Sequence, residues 1–379
     1  MRARDLGIRI GLGTPGPDNA ITDVAGVTVG HTTLIDGDGP LVVGQGPIRT
    51  GVTVVCPRGA GADAIRQSVF AGCHTLNGNG ELTGLEWVRE SGRLHGPVAL
   101  TNTHSVGVVR DALVAAAVER SGSGNSFWSL PVVGETYDGV LNDINGFHVR
   151  PEHLHQALAV AAGGPVQEGT VGGGTGMICH EFKGGIGTAS RVLDESVGGY
   201  TVGSLVQANY GKRSWLRVDG VRVGEAIGTD EVPSAWDQVE PGARLPTPGS
   251  GSIIVVVATD APLLPHQCAR LAQRAGLGIA RVGGTGGHTS GDIFIAFATG
   301  NQLPDAPVSD EEIGGRGTYT VDVVGDVVID RLFDAVIEAT EEAIINALVA
   351  ATTTTGRDGY TAYAIPHDRL REVMAANGR

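Results

Sequence analysis

The sequence predicts a layered fold of the α/β or α+β class. Three observations carry this expectation. Short runs dense in Val and Ile recur along the chain and are apolar on both faces, as strands buried between two layers should be. Stretches with helical spacing are mixed with them along the whole length. Glycine supplies 60 of the 379 residues, in short groups between the apolar runs, against a usual share of about 7%. No Gly-X-Y period runs through the chain and proline numbers only 18, so a collagen-like or low-complexity chain does not fit. Aromatics make up 4%, which leaves Val, Ile, Leu and Ala to fill the interior.

Strands are expected at Gly51–Cys56, Pro97–Asn102, Leu130–Gly134, Val202–Ala208, Ser252–Thr259, Asp292–Phe297 and Tyr319–Asp330. Leu216–Gly224 reads LRVDGVRVG, and Asp219-Gly220 between alternating apolar residues predicts a two-residue hairpin. Helices are expected at Ala62–Phe70, Val108–Ser121, Glu152–Ala162, Pro265–Ala275, Arg331–Ala350 and Asp368–Ala376. The second places Val109, Leu113, Ala116 and Ala117 on one face. Pro265 suits a first helical turn, where its missing N–H costs nothing. Gly228–Gly251 holds four prolines and few aliphatics and reads as an exposed linker.

The net charge of −14, with 27 basic residues against 41 acidic and no basic block, argues against nucleic acid or an anionic membrane as partner. Four scattered cysteines form no CxxC pair, so zinc-site spacing and redox motifs are missing. Such low cysteine usage suits a reducing compartment. The first residues lack an apolar h-region and a small-residue cleavage site, so no signal peptide is expected. Apolar stretches are too short to span a bilayer. A cytoplasmic location is therefore expected. GGGTG at Gly172–Gly176 matches neither a Walker loop nor GxGxxG and reads as a tight turn. No HExxH occurs, and His153 and His155 at i,i+2 point apart on a helix. No metal or cofactor is expected.

The junction at Gly251-Ser252 is the most informative point. The linker ends in Gly-Ser-Gly-Ser directly against the apolar run IIVVVATD. If the bond before a serine is cut, the new α-amino group lies in the same residue as the hydroxyl. Its pKa of about 7.7–8.0 leaves a neutral fraction near pH 7. Such a serine is nucleophile and base in one residue. Glycine before it tolerates the strained backbone that self-cleavage requires. Ser250 competes with Ser252, but only Ser252 immediately precedes the run that would hold it in place. Taken alone, Gly-Ser-Gly-Ser is also the composition of a flexible linker.

Longer motifs favour the chemical reading. They are NAITDVAGVTVGHTT from Asn19, FAGCHTLNGNGELTGLEW from Phe70, LTNTHSVGVVRDAL from Leu100, VVGETYDGVLNDINGFHV from Val132, GTVGGGTGMICHEFKGGIGTASR from Gly169, VQANYG from Val206 and SIIVVVATDAPLLPHQ from Ser252. Through them nearly the whole chain resembles the DmpA family of L-aminopeptidase/D-esterases and β-aminopeptidases, self-processing serine peptidases. The resemblance implies a four-layer αββα sandwich, layered like the N-terminal-nucleophile hydrolases and shared with ornithine acetyltransferases. It implies one catalytic domain cut at Gly251-Ser252 into an α polypeptide, 1–251, and a β polypeptide, 252–379. It also implies a homotetramer of such pairs.

Residue by residue, Ser252 matches the family nucleophile. Ser290 and Asp292, in HTSGD, match a pair that orients the nucleophile and its amine. Asn209, in VQANYG, matches the oxyanion-hole asparagine, a donor whose loss typically costs ~10²–10³ in rate. Glu135 and Tyr137, in GETYDG, match residues at the substrate's amine end, where a carboxylate would select an ammonium group. The Asn77–Gly80 turn and GGGTG fall where the family shapes its cleft. Substrates are then small peptides, amino acid amides or esters. The alternative is an acyltransferase of the ornithine acetyltransferase type, although those enzymes use threonine where this chain has Ser252.

Overall fold

A computed structural model describes residues 1–61, 67–121, 128–239, 246–303 and 318–379. The first half supplies strands β1 (Thr28–Asp36), β2 (Ile48–Cys56), β3 (Val69–Gly78), β4 (Arg93–Leu94), β5 (Val98–Asn102) and β6 (Val132–Thr136). Between and after them lie helices α1 (Leu85–Ser91), α2 (Val106–Ser121) and α3 (Pro151–Ala159). A small hairpin, β7 (Ile178–Cys179) with β8 (Phe182–Lys183), leads into β9 (Gly185–Val192) and β10 (Thr201–Gly211). A short helix α4 (Val223–Ala226) precedes β11 (Gly249–Thr259), α5 (Pro265–Val282), β12 (Gly291–Ala298) and the long α6 (Asp326–Ala350). A second small hairpin, β13 (Thr354–Thr355) with β14 (Thr361–Ala362), and α7 (His367–Ala376) complete the chain.

The larger strands form two sheets, ordered β1-β2-β5-β6 and β4-β3-β12-β11-β10-β9. Neighbours pair antiparallel except β5 with β6 and β11 with β12, which are parallel. Side-chain alternation with period two then sorts the apolar residues into three layers of core. On β11, Ile254, Val256 and Ala258 face the other sheet, together with Ile293, Ile295 and Phe297 of β12 and Val98 and Leu100 of β5. Ile253, Val255 and Val257 face the opposite way, against Leu271, Ala275 and Ile279 of α5 and Val336, Ala343 and Ala347 of α6. Val52 and Val54 of β2 and Ala99 of β5 pack outward against Val109, Leu113 and Ala116 of α2 and Leu154 and Leu158 of α3. Helices, sheet, sheet and helices stack in that order, the four-layer αββα sandwich expected from the resemblance.

Several sequence expectations change. Tyr319–Asp330 is not a strand. Residues 318–325 have no regular structure, and α6 begins at Asp326. The backbone at Asp322 is bonded on both sides by the Asn301 side chain, at 2.9 and 3.0 Å, so it needs no strand partner. Leu332, Val336, Ala339, Ala343 and Ala347 are buried at helical spacing and carry the segment into α6. Of the helix expected at Ala62–Phe70, residues 62–66 lie outside the described residues, while Val69 and Phe70 open β3. Asp219 and Gly220 do make a two-residue turn, with φ of 46° and 79°, but Val218 and Val221 pair across it as an isolated bridge and not as strands. Gly228–Gly251 is more integrated than a linker. Ser234 and Ala235 are buried, and Gln238 exchanges two hydrogen bonds with the Thr361 backbone. Residues 240–245 of it lie outside the described residues, and Gly249–Gly251 already belong to β11.

Candidate active site

In the antiparallel pairing of β10 with β11, Asn209 stands opposite Ser252. Residues so opposed send their side chains to the same face. Alternation puts Ser252 on the face of Ile254 and Val256, and Asn209 on that of Leu205, which is the face between the sheets. Hydroxyl and amide therefore meet at one end of that inner layer. Ser252 is 6% exposed and Asn209 8%, so both are shielded but not sealed.

The backbone just before Ser252 is irregular. Between Asn209 and Gly211 the register slips: Gly211 pairs with Gly249, leaving one extra residue on β11. Such a bulge bends a strand and re-aims the neighbouring side chains. Gly251 has φ of 155°, and a Cβ there would sit 2.1 Å from the Asn209 carbonyl oxygen. Only glycine fits that position without displacing the partner strand.

The Asn209 amide is held at both ends. Its Oδ1 accepts from the Ile178 N–H at 2.8 Å, and its Nδ2 donates to the Tyr137 carbonyl at 3.0 Å. The Ser252 Oγ accepts from the Gly291 N–H at 3.1 Å. Beside Gly291, Ser290 Oγ donates to Asp292 Oδ1 at 2.7 Å, and the same oxygen accepts from the Ile253 N–H at 3.3 Å. Asp292 alternates with Phe294 and Ala296 toward the helix side of the sheet. The Ser290–Asp292 pair thus braces the strand one residue past Ser252, and the backbone between the two touches the hydroxyl. Burial pushes the Asp292 carboxyl up, opposed by the Ser290 hydroxyl and the Ile253 N–H.

Glu135 comes from β6, in the other sheet. Its Oε1 accepts from the Glu81 N–H at 3.0 Å and its Oε2 from the Thr103 hydroxyl. Gly80 separates it from the nucleophile's side. A Cβ on Gly80 would lie 3.0 Å from Glu135 Oε1 and 3.2 Å from Gly291 Cα. Burial raises the Glu135 carboxyl above its ordinary range, against the pull of Thr103 and the Glu81 N–H. Tyr137 is placed differently. Its carbonyl, not its ring, meets Asn209, and the half-buried ring lies over Gly139 beside Ile144.

Other residues at the site are given no catalytic role by the sequence. Asn77 Nδ2 donates to the carbonyls of Gly287 and Ser290 at 2.8 and 2.9 Å, tying the loop before β12 to β3. Thr103 and Gly291 are equally unmarked by spacing, because a Thr in a turn and a Gly at a strand start are common. The GGGTG stretch forms a buried turn between the sheets. Its Gly172 and Gly173 N–H groups donate to the Thr33 and Thr53 hydroxyls at 2.9 and 3.1 Å, so they are not aimed at an anion. His153 accepts from the Arg150 N–H at 2.9 Å and helps start α3.

Residues 19–362 match the model of peptidase family S58. The chain is 52% identical over 375 residues to the β-peptidyl aminopeptidase BapA of Sphingosinicella microcystinivorans, covering 98% of this chain and 91% of that one. Among solved structures it superposes on a Burkholderia sp. β-aminopeptidase with a TM-score of 0.90 at 56% identity, over 100% of this chain and 99% of the other. The L-aminopeptidase D-Ala-esterase/amidase of Ochrobactrum anthropi, a variant of the Ntn hydrolase fold, gives 0.88 at 45% identity, again over 100% and 99%. These relatives do not favour the acyltransferase alternative. By its sequence match, its layering and its likeness to these enzymes, the chain belongs to peptidase family S58 and is a serine-type aminopeptidase with an N-terminal nucleophile.

Proposed function

We propose that Ser252 is that nucleophile, exposed by self-cleavage at Gly251-Ser252 into polypeptides 1–251 and 252–379. The observation that carries this reading is the placement of Ser252. It faces Asn209 across the strand pair, receives the Gly291 N–H, and lies just after a bulge where only glycine fits. In the first stage Ser252 Oγ attacks the Gly251 carbonyl carbon. The peptide C–N bond breaks as the acyl group moves from nitrogen to oxygen, and water hydrolyses the resulting ester. The freed α-amine then takes the hydroxyl proton as Oγ attacks the substrate carbonyl. Asn209 Nδ2 and the Gly291 N–H would supply the donors for the developing oxyanion. The proton passes to the departing amine or alcohol, and water releases the acyl-enzyme.

Glu135 receives the substrate's ammonium group, and Tyr137 contributes through its carbonyl, which holds the Asn209 amide. Ser290 and Asp292 hold the strand that carries Ser252 and its amine. The preferred substrates are peptides and amides with an N-terminal β-amino acid. Support comes from the names of relatives at 52% and 46% identity, both β-peptidyl aminopeptidases, and of the Burkholderia structure. A panel of aminoacyl p-nitroanilides, α and β, L and D, decides this; faster turnover of the L-α compounds overturns it. Low cysteine usage supports a cytoplasmic site of action, checked by cell fractionation. The assembled form is a tetramer of cleaved pairs, which sedimentation would measure.

The central test is Ser252→Ala. The variant should remain a single 38.8 kDa species on a denaturing gel and hydrolyse nothing. Undiminished cleavage or activity would move the nucleophile to Ser250.

A further inference from the structure

The chain buries one lysine completely. Lys183, in β8, is 0% exposed and donates three hydrogen bonds, to the carbonyl oxygens of Met177 at 2.9 Å, Gly174 at 3.1 Å and Gly184 at 2.8 Å. An ammonium group has three N–H donors and no acceptor, so three carbonyls satisfy it fully. Burying it is costly nonetheless, and its pKa is pulled down to about 7.

One of the three carbonyls shows what the lysine does. Met177 C=O and Ile178 N–H belong to the same peptide unit. Its oxygen accepts from Lys183 and from the Gly184 N–H, both at 2.9 Å, and its N–H donates to Asn209 Oδ1. The planar peptide makes the two bonds inseparable in orientation. A charged donor on the oxygen also polarises the unit and strengthens its N–H. That N–H holds the oxygen end of the Asn209 amide, and the Tyr137 carbonyl takes one N–H of its NH₂ end and leaves the other. The Gly174 bond ties the same clamp to the GGGTG turn between the sheets.

We propose that Lys183 is a positioning residue for the reaction: through the Met177–Ile178 peptide it sets the orientation of the Asn209 amide. The inference rests on Asn209 being the oxyanion donor. Substrate binding at Glu135 does not pass through this clamp, so the effect belongs to turnover. A misplacement of about 1 Å in such a donor can cost on the order of 10²-fold in rate.

The test uses Lys183→Met, with Lys183→Gln beside it. Gln keeps two N–H donors and is the variant to rely on if Met does not fold. Asn209→Ala and the Lys183/Asn209 double variants complete the cycle. Turnover is measured per cleaved chain, with thermal unfolding recorded for each protein. For the folded Lys183 variants kcat should fall about 10-fold or more while KM stays within about twofold. The double variant should be no slower than Asn209→Ala alone, because the lysine acts only through that amide. Parent-like kcat in either folded Lys183 variant overturns the inference, as does full multiplication of the two effects. Parent-like kcat in Asn209→Ala instead sinks the oxyanion reading on which the inference stands.

Discussion

Glu135 illustrates how a residue's surroundings decide its chemistry. In the sequence it is one acid in a polar motif. In the fold it is buried, with one backbone N–H and one hydroxyl on its two oxygens. Each oxygen retains a lone pair for an incoming ammonium group. Burial raises its pKa, and the ionised form is the one that binds a cation. Acidification through that raised pKa therefore removes the binding charge, and kcat/KM for free-amine substrates should fall on the acid side at a pH above the usual carboxylate range. Glu135→Gln should lower kcat/KM by about 10- to 100-fold, the worth of a charged hydrogen bond, and abolish that acid limb. An unchanged pH profile in the Gln variant would show that another group titrates there. The candidate residues were legible as types because the motifs name them, yet their partners were not. Nothing about Thr103, Gly291 or Met177–Ile178 in the sequence announces which side chain each one will meet.

At the scale of elements, the strands that the sequence marks best are those buried on both faces. β11 and β12 are apolar at every position from Ile253 to Ala258 and from Ile293 to Ala298, and the expected spans end within three residues of the observed ones. β9 escapes sequence detection because it reads GIGTASRV, with little β-branched signal. The second of its two glycines, Gly187, is there for the helix above it. A Cβ on Gly187 would fall 1.9 Å from the Ala343 carbonyl oxygen and 2.6 Å from the Ala347 nitrogen of α6. Gly187→Ala must lift α6 off the sheet, at a cost of about 1–3 kcal/mol. Denaturant midpoints of the Ser252→Ala background with and without this change would measure it. An unaltered midpoint would mean that α6 and β9 part freely. The abundance of glycine thus has a packing cause as well as a turn-forming one, and only the layered structure separates the two.

Across the whole molecule, the proposed cut falls in the middle of a sheet. In the order β4-β3-β12-β11-β10-β9, the strands after Ser252 occupy the centre and those before it flank both sides. The two products would share that six-stranded sheet, while α5 and α6 packed on it both come from 252–379. A buried charge network adds to this. Arg191, before the cut, pairs with Glu338 and Glu342 of α6 at 2.9 and 2.7 Å, and Arg4 reaches Glu342 at 2.7 Å. Removing one partner of such a network leaves a buried charge uncompensated. The cleaved polypeptides should therefore co-elute in native size-exclusion chromatography and unfold in one transition, separating only in denaturant. Native elution of 252–379 on its own would contradict the interleaved sheet.

The sequence by itself determined the class of fold and the family, and it named the candidate residues of the site. Hydrophobic periodicity and a distinctive run of motifs are local properties, readable without knowing who neighbours whom. It also marked Gly251-Ser252 as the edge of an apolar run, although β11 itself begins two residues earlier, at Gly249. Only the tertiary structure decided that Asn209 stands opposite Ser252, that Glu135 arrives from a second sheet, and that Lys183 lies under the peptide holding Asn209. Those pairings join residues far apart in the chain. Strand order and register set them, and neither is written in any single stretch of residues.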